Sequence, residues 1–267
     1  MVKSITPPIL PHDADGLATL RAELSRAISP IVAIEDAELC ARCRGRVASC
    51  LLVLGVLRPS RRGHQYANAA KNHRSSSRRR RCRAVANNVS IAHPADSDAK
   101  QESFDLDGAA AIDLRQAMLS TARRAVHALA PAFSDEEPLD PRLCLRRYAA
   151  GETRQRLGPH VDDTLCTLLW ATGPGLEVLA PVVDDWTGED VARVGLPTMG
   201  PMPRAPAADD WAVVALPPDC LLLNPGHAWA RCAATSAAVP LRAATLHRVV
   251  LGGEERLSLP LLVGWGG

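Results

Sequence analysis

The chain has 267 residues, of which 47% are hydrophobic and 22% are charged, as in ordinary globular proteins. This length and composition favour one domain with additional segments, and they exclude collagen-like, coiled-coil and wholly disordered chains. The net charge of +2 is unevenly distributed, because residues 42–83 contain twelve Arg and one Lys but no Asp or Glu.

The sequence carries no sign of a membrane or secreted protein. Its apolar runs stay well below the ~18 residues that cross a bilayer, and the start, MVKSITPPILPHDADG, has no apolar signal core. The eight Cys are spaced too irregularly for a small disulfide framework. The pair Cys40-x-x-Cys43 lacks a second pair to complete a zinc site. We therefore predict no membrane partner and a reducing, cytoplasmic location.

The N-terminal segment, residues 1–41, is predicted to be helical. Its apolar residues recur at helical spacing and a proline follows them, which predicts a helix over residues 16–28. These positions are Leu17, Leu20, Leu24, Ile28 and Pro30.

Residues 42–95 are predicted to form a basic, disordered insert. Runs such as RPSRRGHQ and HRSSSRRRRCR combine high charge with many Ser, so they cannot support burial. Clustered Arg is compatible with nucleic-acid binding, but Tyr66 is the one aromatic residue available for base stacking. A solvated loop is therefore favoured over a nucleic-acid surface. An authentic insertion and translated non-coding sequence both remain open as its origin.

Residues 96–139 are predicted to be a linker followed by a helix over 109–130 that packs on the core. After this segment, over residues 140–267, short apolar runs alternate with Gly, Pro and Asp and predict strands. The eight runs are LCLRRYAAG, TLCTLLWA, LEVLA, WAVVAL, CLLLN, AWARCA, LRAATLHRVV and RLSLPLLV. The Pro-rich residues 180–210 are predicted to be a long surface loop. The expected fold is mainly β, a double-stranded β-helix (jelly roll) with N-terminal flanking helices.

The chain contains a His-x-Asp triplet, His160-Val161-Asp162. On a strand, residues i and i+2 point to the same face, so both side chains could bind one metal ion. A third ligand must come from elsewhere, and His247 in the late run ATLHRVV is the best candidate. Two imidazoles and one carboxylate leave coordination positions open, as in non-haem Fe(II) oxygenases.

Nine residues after His247 stands a second i, i+2 pair, Arg256 and Ser258. A guanidinium beside a hydroxyl is suited to hold a carboxylate through charged hydrogen bonds. A metal with open positions and a carboxylate clamp together match the needs of a 2-oxoacid cosubstrate.

The stretch LRRYAAG…LGPHVDDTLCTLLWATGPGLEVL…WAVVALPPDCLLLNPGHAWAR…LRAATLHRVVLGGEERLSLPLLVG resembles the isopenicillin N synthase-like iron(II)/2-oxoglutarate-dependent dioxygenases. The resemblance covers residues 143–263 and implies iron binding by His160, Asp162 and His247. It implies that Arg256 and Ser258 bind the far carboxylate of 2-oxoglutarate, and that Tyr148 also contacts this cosubstrate. Two positions depart from the family pattern: Arg146 stands where an Asn is usual, and His227 where an Asp is usual.

The resemblance implies an oxygenase that uses Fe(II), 2-oxoglutarate and O2. We expect it to oxidise a small organic substrate, by default through hydroxylation, with release of succinate and CO2. The alternative is a non-catalytic binding protein on a degenerate oxygenase scaffold. The sequence leaves open the identity of the substrate, desaturation or ring closure in place of hydroxylation, the completeness of the pocket and the oligomeric state.

Overall fold

The computed structural model describes residues 3–24, 27, 30–53, 89–92, 101–106, 109–131, 133, 139–148, 150, 155–180, 206–229, 244–250 and 254–265. The helices are α1 Ala14–Leu24, α2 Ala37–Val53 and α3 Ala109–Leu129. The strands are β1 Lys3–Ile5, β2 Val32–Glu35, β3 Val89–Ala92, β4 Gln101–Leu106, β5 Leu139–Tyr148, β6 Gln155–His160, β7 Cys166–Ala171, β8 Leu176–Leu179, β9 Trp211–Val214, β10 Cys220–Pro225, β11 His247–Val250 and β12 Arg256–Trp265.

The strands form two sheets. One sheet has the order β1-β9-β8-β11-β6 and the other the order β2-β10-β7-β12-β5-β4-β3. Neighbouring strands are antiparallel except for β1 and β9. From β5 to β12 the chain crosses from one sheet to the other at every connection except that between β8 and β9, which is the connectivity of a jelly roll. The predicted fold class is confirmed.

The seven-stranded sheet is buried on both faces. In β10, Leu222 belongs to an apolar cluster between the two sheets, whereas Leu221 and Leu223 belong to the larger cluster that includes the helices. A strand covered on both sides needs apolar residues at successive positions. This explains why β10 reads as the continuous run CLLLN.

The three helices contribute buried residues to the cluster on the outer face of this sheet. On α3 the residues at the spacings of three and four that predicted the helix are all buried, namely Leu114, Met118, Ala122, Val126 and Leu129. The described part of α1 ends at Leu24, four residues before the predicted end. The expectation of helices flanking the jelly roll is met.

Helix α2 differs from the sequence prediction, because it extends twelve residues into the segment expected to be a disordered insert. Cys43, Val47 and Cys50 lie on its buried face, while Arg42 and Arg44 are exposed. The dense Arg content therefore belongs in part to the outer face of an amphipathic helix. Strand β3 also falls within the expected insert, and residues 54–88 and 93–100 lie outside the described part of the chain.

Several strands had no counterpart among the eight apolar runs, namely the short strands β1 and β2, and β3, β4 and β6. One run was assigned differently, because Ala228 and Trp229 of AWARCA lie in a helical turn. Residues 230–233 of that run and residues 181–205 of the expected loop are outside the described residues. None of the described helices is long and apolar enough to span a membrane.

Candidate functional site

Three side chains from two strands and one loop converge at one edge of the five-stranded sheet. His160 ends β6 and His247 begins β11, and the two residues face each other in the antiparallel pairing. Asp162 lies in the loop that follows β6. The sequence prediction had instead placed His160 and Asp162 on the same face of one strand. One ligand atom from each of the three residues lies within 4.8 Å of the other two. The structure thus brings together the three residues proposed from the sequence as metal ligands.

Both imidazole rings are oriented by backbone carbonyl groups. Nδ1 of His160 lies 2.8 Å from the carbonyl oxygen of Gly158, and Nδ1 of His247 lies 3.0 Å from that of Thr245. A carbonyl oxygen can only accept, so each Nδ1 carries the hydrogen and each Nε2 presents a lone pair. These Nε2 atoms lie 3.6 Å and 3.9 Å from Oδ1 of Asp162. Both rings therefore present Nε2 towards the carboxylate.

The carboxylate of Asp162 is held by its other oxygen. Oδ2 accepts a hydrogen bond of 2.6 Å from the Thr167 hydroxyl, and the Asn224 side-chain amide lies 3.4 Å away. Oδ1 is left to face the two histidines. Sequence reasoning missed the contacts of Thr167 and Asn224, since they depend on strands β7 and β10 being adjacent. Such contacts fix the orientation of a ligating carboxylate.

Protonation states at this site suit metal binding. Burial alone would raise the pKa of Asp162, but its interactions with His160, His247 and the Thr167 hydroxyl together hold that pKa well below its usual range. Burial lowers the pKa of His247 to about 4, although the nearby Asp162 opposes this shift. An ionised carboxylate beside neutral imidazole is the form in which these residues ligate metals. The donor set fits a non-haem Fe(II) site with open positions.

The loop that carries Asp162 is packed closely against the segment after β10. The backbone N–H of His227 donates to the carbonyl of Asp162 at 2.9 Å. A Cβ atom at Gly226 would lie 2.3 Å from the carbonyl oxygen of Thr164, so this position accepts only glycine without displacement of the backbone. The His227 side chain is buried and is not among the residues that line the cavity at the site.

The cavity beside the three residues is lined on its other wall by the seven-stranded sheet. Tyr148 of β5 and Arg256 and Ser258 of β12 are all lining residues. Arg256 and Tyr148 are partners in the antiparallel register, and the guanidinium carbon lies 5.6 Å from the centre of the tyrosine ring. The structure therefore places the proposed cosubstrate residues in the same cavity as Asp162 and His247.

Arg256 is a buried cation with no carboxylate partner among the described residues. Its residue is 3% exposed, and its Nε has no hydrogen-bond partner. Within the described part of the chain, no carboxylate forms a salt bridge with it. Burial lowers the pKa of Arg256, opposed by the neighbouring Tyr148. A desolvated guanidinium needs an anion to compensate its charge, and this cavity is where an anion can reach it.

No protein-family model matches the sequence, and no curated protein matches it significantly. Solved structures match over nearly the whole chain at low sequence identity. The 2-oxoglutarate complex of AtDAO1, the dioxygenase for auxin oxidation 1 from Arabidopsis thaliana, is 13% identical with a TM-score of 0.62, over 100% of this chain and 94% of that chain. A full-length protein from Neurospora crassa, in complex with alpha-KG and 5-formyluracil, is 14% identical with a TM-score of 0.56, over 97% of this chain and 85% of that chain.

A third similar structure, JOX2 in complex with 2OG, Fe and JA, is 14% identical with a TM-score of 0.52, over 99% of this chain and 76% of that chain. At these identities the similarity shows a shared fold. The chain has the jelly-roll fold in which these proteins bind 2-oxoglutarate.

Proposed function

We propose that the protein is an Fe(II)- and 2-oxoglutarate-dependent dioxygenase of the isopenicillin N synthase-like group, which hydroxylates a small organic substrate and releases succinate and CO2. The observation that carries the proposal is the convergence of His160, Asp162 and His247 to within 4.8 Å, with Asp162 and His247 in one cavity with Arg256. The shared fold of proteins solved with 2-oxoglutarate, with alpha-KG and 5-formyluracil, or with 2OG, Fe and JA supports it by analogy.

In this proposal the two imidazoles ligate Fe(II) through Nε2 and Asp162 through Oδ1. The ferrous ion would supply the activation of O2 and the oxidative decarboxylation of the 2-oxoacid. Thr167 and Asn224 keep the carboxylate in its ligating orientation, because they bind the oxygen that faces away from the histidines.

Arg256 receives the far carboxylate of 2-oxoglutarate, and the Ser258 hydroxyl donates to the same group. Both side chains line the cavity and are 3% and 2% exposed, respectively. Exclusion of water strengthens this ion pair and fixes the direction in which the cosubstrate enters. Tyr148 contributes by packing its ring against the guanidinium, and apolar residues such as Leu176 and Val249 form the facing wall.

Anaerobic titration with Fe(II) and 2-oxoglutarate tests the site directly. We expect the weak visible charge-transfer band of the iron-bound 2-oxoacid in the wild-type protein. Asp162→Ala should remove the band, whereas Asp163→Ala, which deletes the adjacent exposed carboxylate, should retain it. The absence of a band in the wild type at saturating iron would contradict the proposed function.

The competing hypothesis of a non-catalytic binding protein makes a different prediction. Such a protein would bind iron and 2-oxoglutarate without forming succinate when O2 is admitted. Succinate formation that depends on iron and increases with an organic substrate would support the dioxygenase. Formation of oxidised product without consumption of 2-oxoglutarate would instead indicate an oxidase that lacks this cosubstrate.

The location remains the predicted reducing, cytoplasmic one. Six cysteines, Cys40, Cys43, Cys50, Cys144, Cys166 and Cys220, are free and buried in the described part of the chain. Buried free thiols are usual in reducing compartments, and this observation supports the proposal.

A further inference from the structure

A second arginine, Arg146, reaches the same cavity. It lies on β5 two residues before Tyr148, on the same face of the strand, and it is the register partner of Ser258. It lines the cavity together with Asp162, His247 and Arg256, and it is only partly buried. The sequence resemblance places an uncharged Asn at this position, so a cation here is a property of this chain.

Arg146 has no anionic partner in the part of the chain that the structure describes. The neighbouring Arg147 points to the opposite face and pairs with Glu255 at 2.7 Å. Asp105 on the adjacent strand β4 is opposite Cys144 in the register and accepts a hydrogen bond from its thiol at 3.1 Å. No salt bridge joins Asp105 or another described carboxylate to Arg146.

Arg146 lies close to the proposed clamp, because its register partner is Ser258 and both residues line the cavity with Arg256. Burial lowers the pKa of Arg256, and the positive charge of Arg146 lowers it further.

With a metal ion and 2-oxoglutarate bound, the formal charges of the site would not balance when Arg146 is included. A divalent ion, the Asp162 carboxylate, the Arg256 guanidinium and a 2-oxoglutarate dianion together are neutral. Arg146 adds one positive charge, and among the described residues that line the cavity Asp162 is the one carboxylate. A surplus positive charge in a partly buried site favours a ligand that carries one negative charge.

We propose that Arg146 binds the anionic group of the organic substrate, which is therefore a small organic acid with an apolar body. This inference rests on the proposed dioxygenase function. The carboxylates of 2-oxoglutarate are directed to the metal and to Arg256, whereas Arg146 is the partly exposed cation that an entering ligand can reach. Leu157, Leu176 and Val249 line the opposite wall and would contact the apolar body.

The test uses full-length protein with Mn(II) and 2-oxoglutarate, and it compares phenylacetate and 4-phenylbutyrate with their amides as probes. Dissociation constants are measured by calorimetry for wild type, Arg146→Gln, Arg146→Lys and Arg142→Gln. The last variant removes an exposed charge from the same strand at a position that does not line the cavity. The dissociation constant of 2-oxoglutarate is measured for each protein as a separate value.

The wild type should bind at least one acid about ten- to a hundredfold more tightly than its amide, as expected of a charge-assisted hydrogen bond. Arg146→Gln should abolish this preference, Arg146→Lys should retain part of it, and Arg142→Gln should leave it intact. An acid preference that survives in Arg146→Gln, or no preference in the wild type, would overturn the proposal.

Two further outcomes separate this inference from the proposed function. If Arg146→Gln weakens 2-oxoglutarate binding as much as acid binding, Arg146 serves the cosubstrate and the substrate assignment is wrong. If the wild type does not bind 2-oxoglutarate in the presence of Mn(II), the dioxygenase proposal itself fails. In that case an acid preference that depends on Arg146 would still establish a binding site for organic acids.

Discussion

Replacement of Arg256 by Met should stabilise the protein in the absence of ligands. The guanidinium is 3% exposed and its Nε has no partner, whereas a Met side chain fills a similar path without charge. Removal of an unpaired buried donor recovers about 1–3 kcal/mol. The guanidinium carbon lies 5.6 Å from the centre of the Tyr148 ring. Loss of this contact offsets about 0.5–1 kcal/mol of the gain.

The expected net gain is about 0–2.5 kcal/mol, which corresponds to a rise in Tm of up to about 10 °C for a domain of this size. The same substitution should remove the stabilisation by the cosubstrate. In the wild type, 2-oxoglutarate at a hundred times its Kd with saturating Mn(II) should add about 2.7 kcal/mol. Arg256→Met should show little or none of that increase.

Thermal denaturation with and without Mn(II) and 2-oxoglutarate measures both effects. Arg248→Met is the matched control, since Arg248 donates to Glu177 at 2.6 Å and its guanidinium lies 4.3 Å from the centre of the Trp211 ring. Loss of this paired arginine should lower the Tm and leave the effect of 2-oxoglutarate unchanged. If Arg256→Met lowers the Tm, or retains the full shift with 2-oxoglutarate, the assignment of Arg256 as an unpaired carboxylate clamp is wrong.

Three other predictions concern the ligand loop and the cysteines. Thr167→Val keeps the shape of the side chain but removes the 2.6 Å hydrogen bond to Asp162, so Mn(II) affinity measured by calorimetry should fall about tenfold; unchanged affinity would contradict the role of this hydroxyl. Gly226→Ala places a Cβ atom 2.7 Å from the carbonyl oxygen of Asp162, so both the Tm and metal affinity should fall, and a wild-type Tm would show that the loop can relax. The six cysteines in the described part of the chain are all buried, and burial raises the pKa of Cys43 and Cys166 to about 12. We therefore expect no more than two of the eight thiols to react with a disulfide reagent at pH 8 in the folded protein, and all eight to react after unfolding.

The sequence predicted those helices and strands whose buried residues follow a recognisable pattern along the chain. The spacing of Leu114, Met118 and Val126 was sufficient to predict α3, and the run CLLLN was sufficient to predict β10. Helix α2 was not predicted, because the many Arg residues on its exposed face obscured the buried spacing of Cys43 and Val47. Short strands such as β1 and β2 have too few residues to show a period of two, and only their partners in the sheet define them.

The residues of the candidate site were also only partly predictable from the sequence. His160, Asp162, His247 and Arg256 were proposed from their order along the predicted strands, and the structure brings these side chains together. The hydroxyl of Thr167 could not, since its contact with Asp162 depends on how the loop after β6 returns onto β7. Motifs therefore indicated which side chains could bind a metal ion or a carboxylate. The packing of the sheets determines which neighbouring side chains orient them.

The two histidine rings are oriented by carbonyl groups that stand two residues earlier on the chain, at Gly158 and Thr245. Every amino acid has a backbone carbonyl, so the orientation of both imidazole rings does not depend on the side chains at these two positions. Thr245 lines the cavity, so a mutation there can alter the cavity wall and leave the orientation of His247 unchanged. This arrangement would allow the cavity to accept a different ligand while the three converging side chains keep their positions, and it is compatible with a shared fold at 13–14% identity.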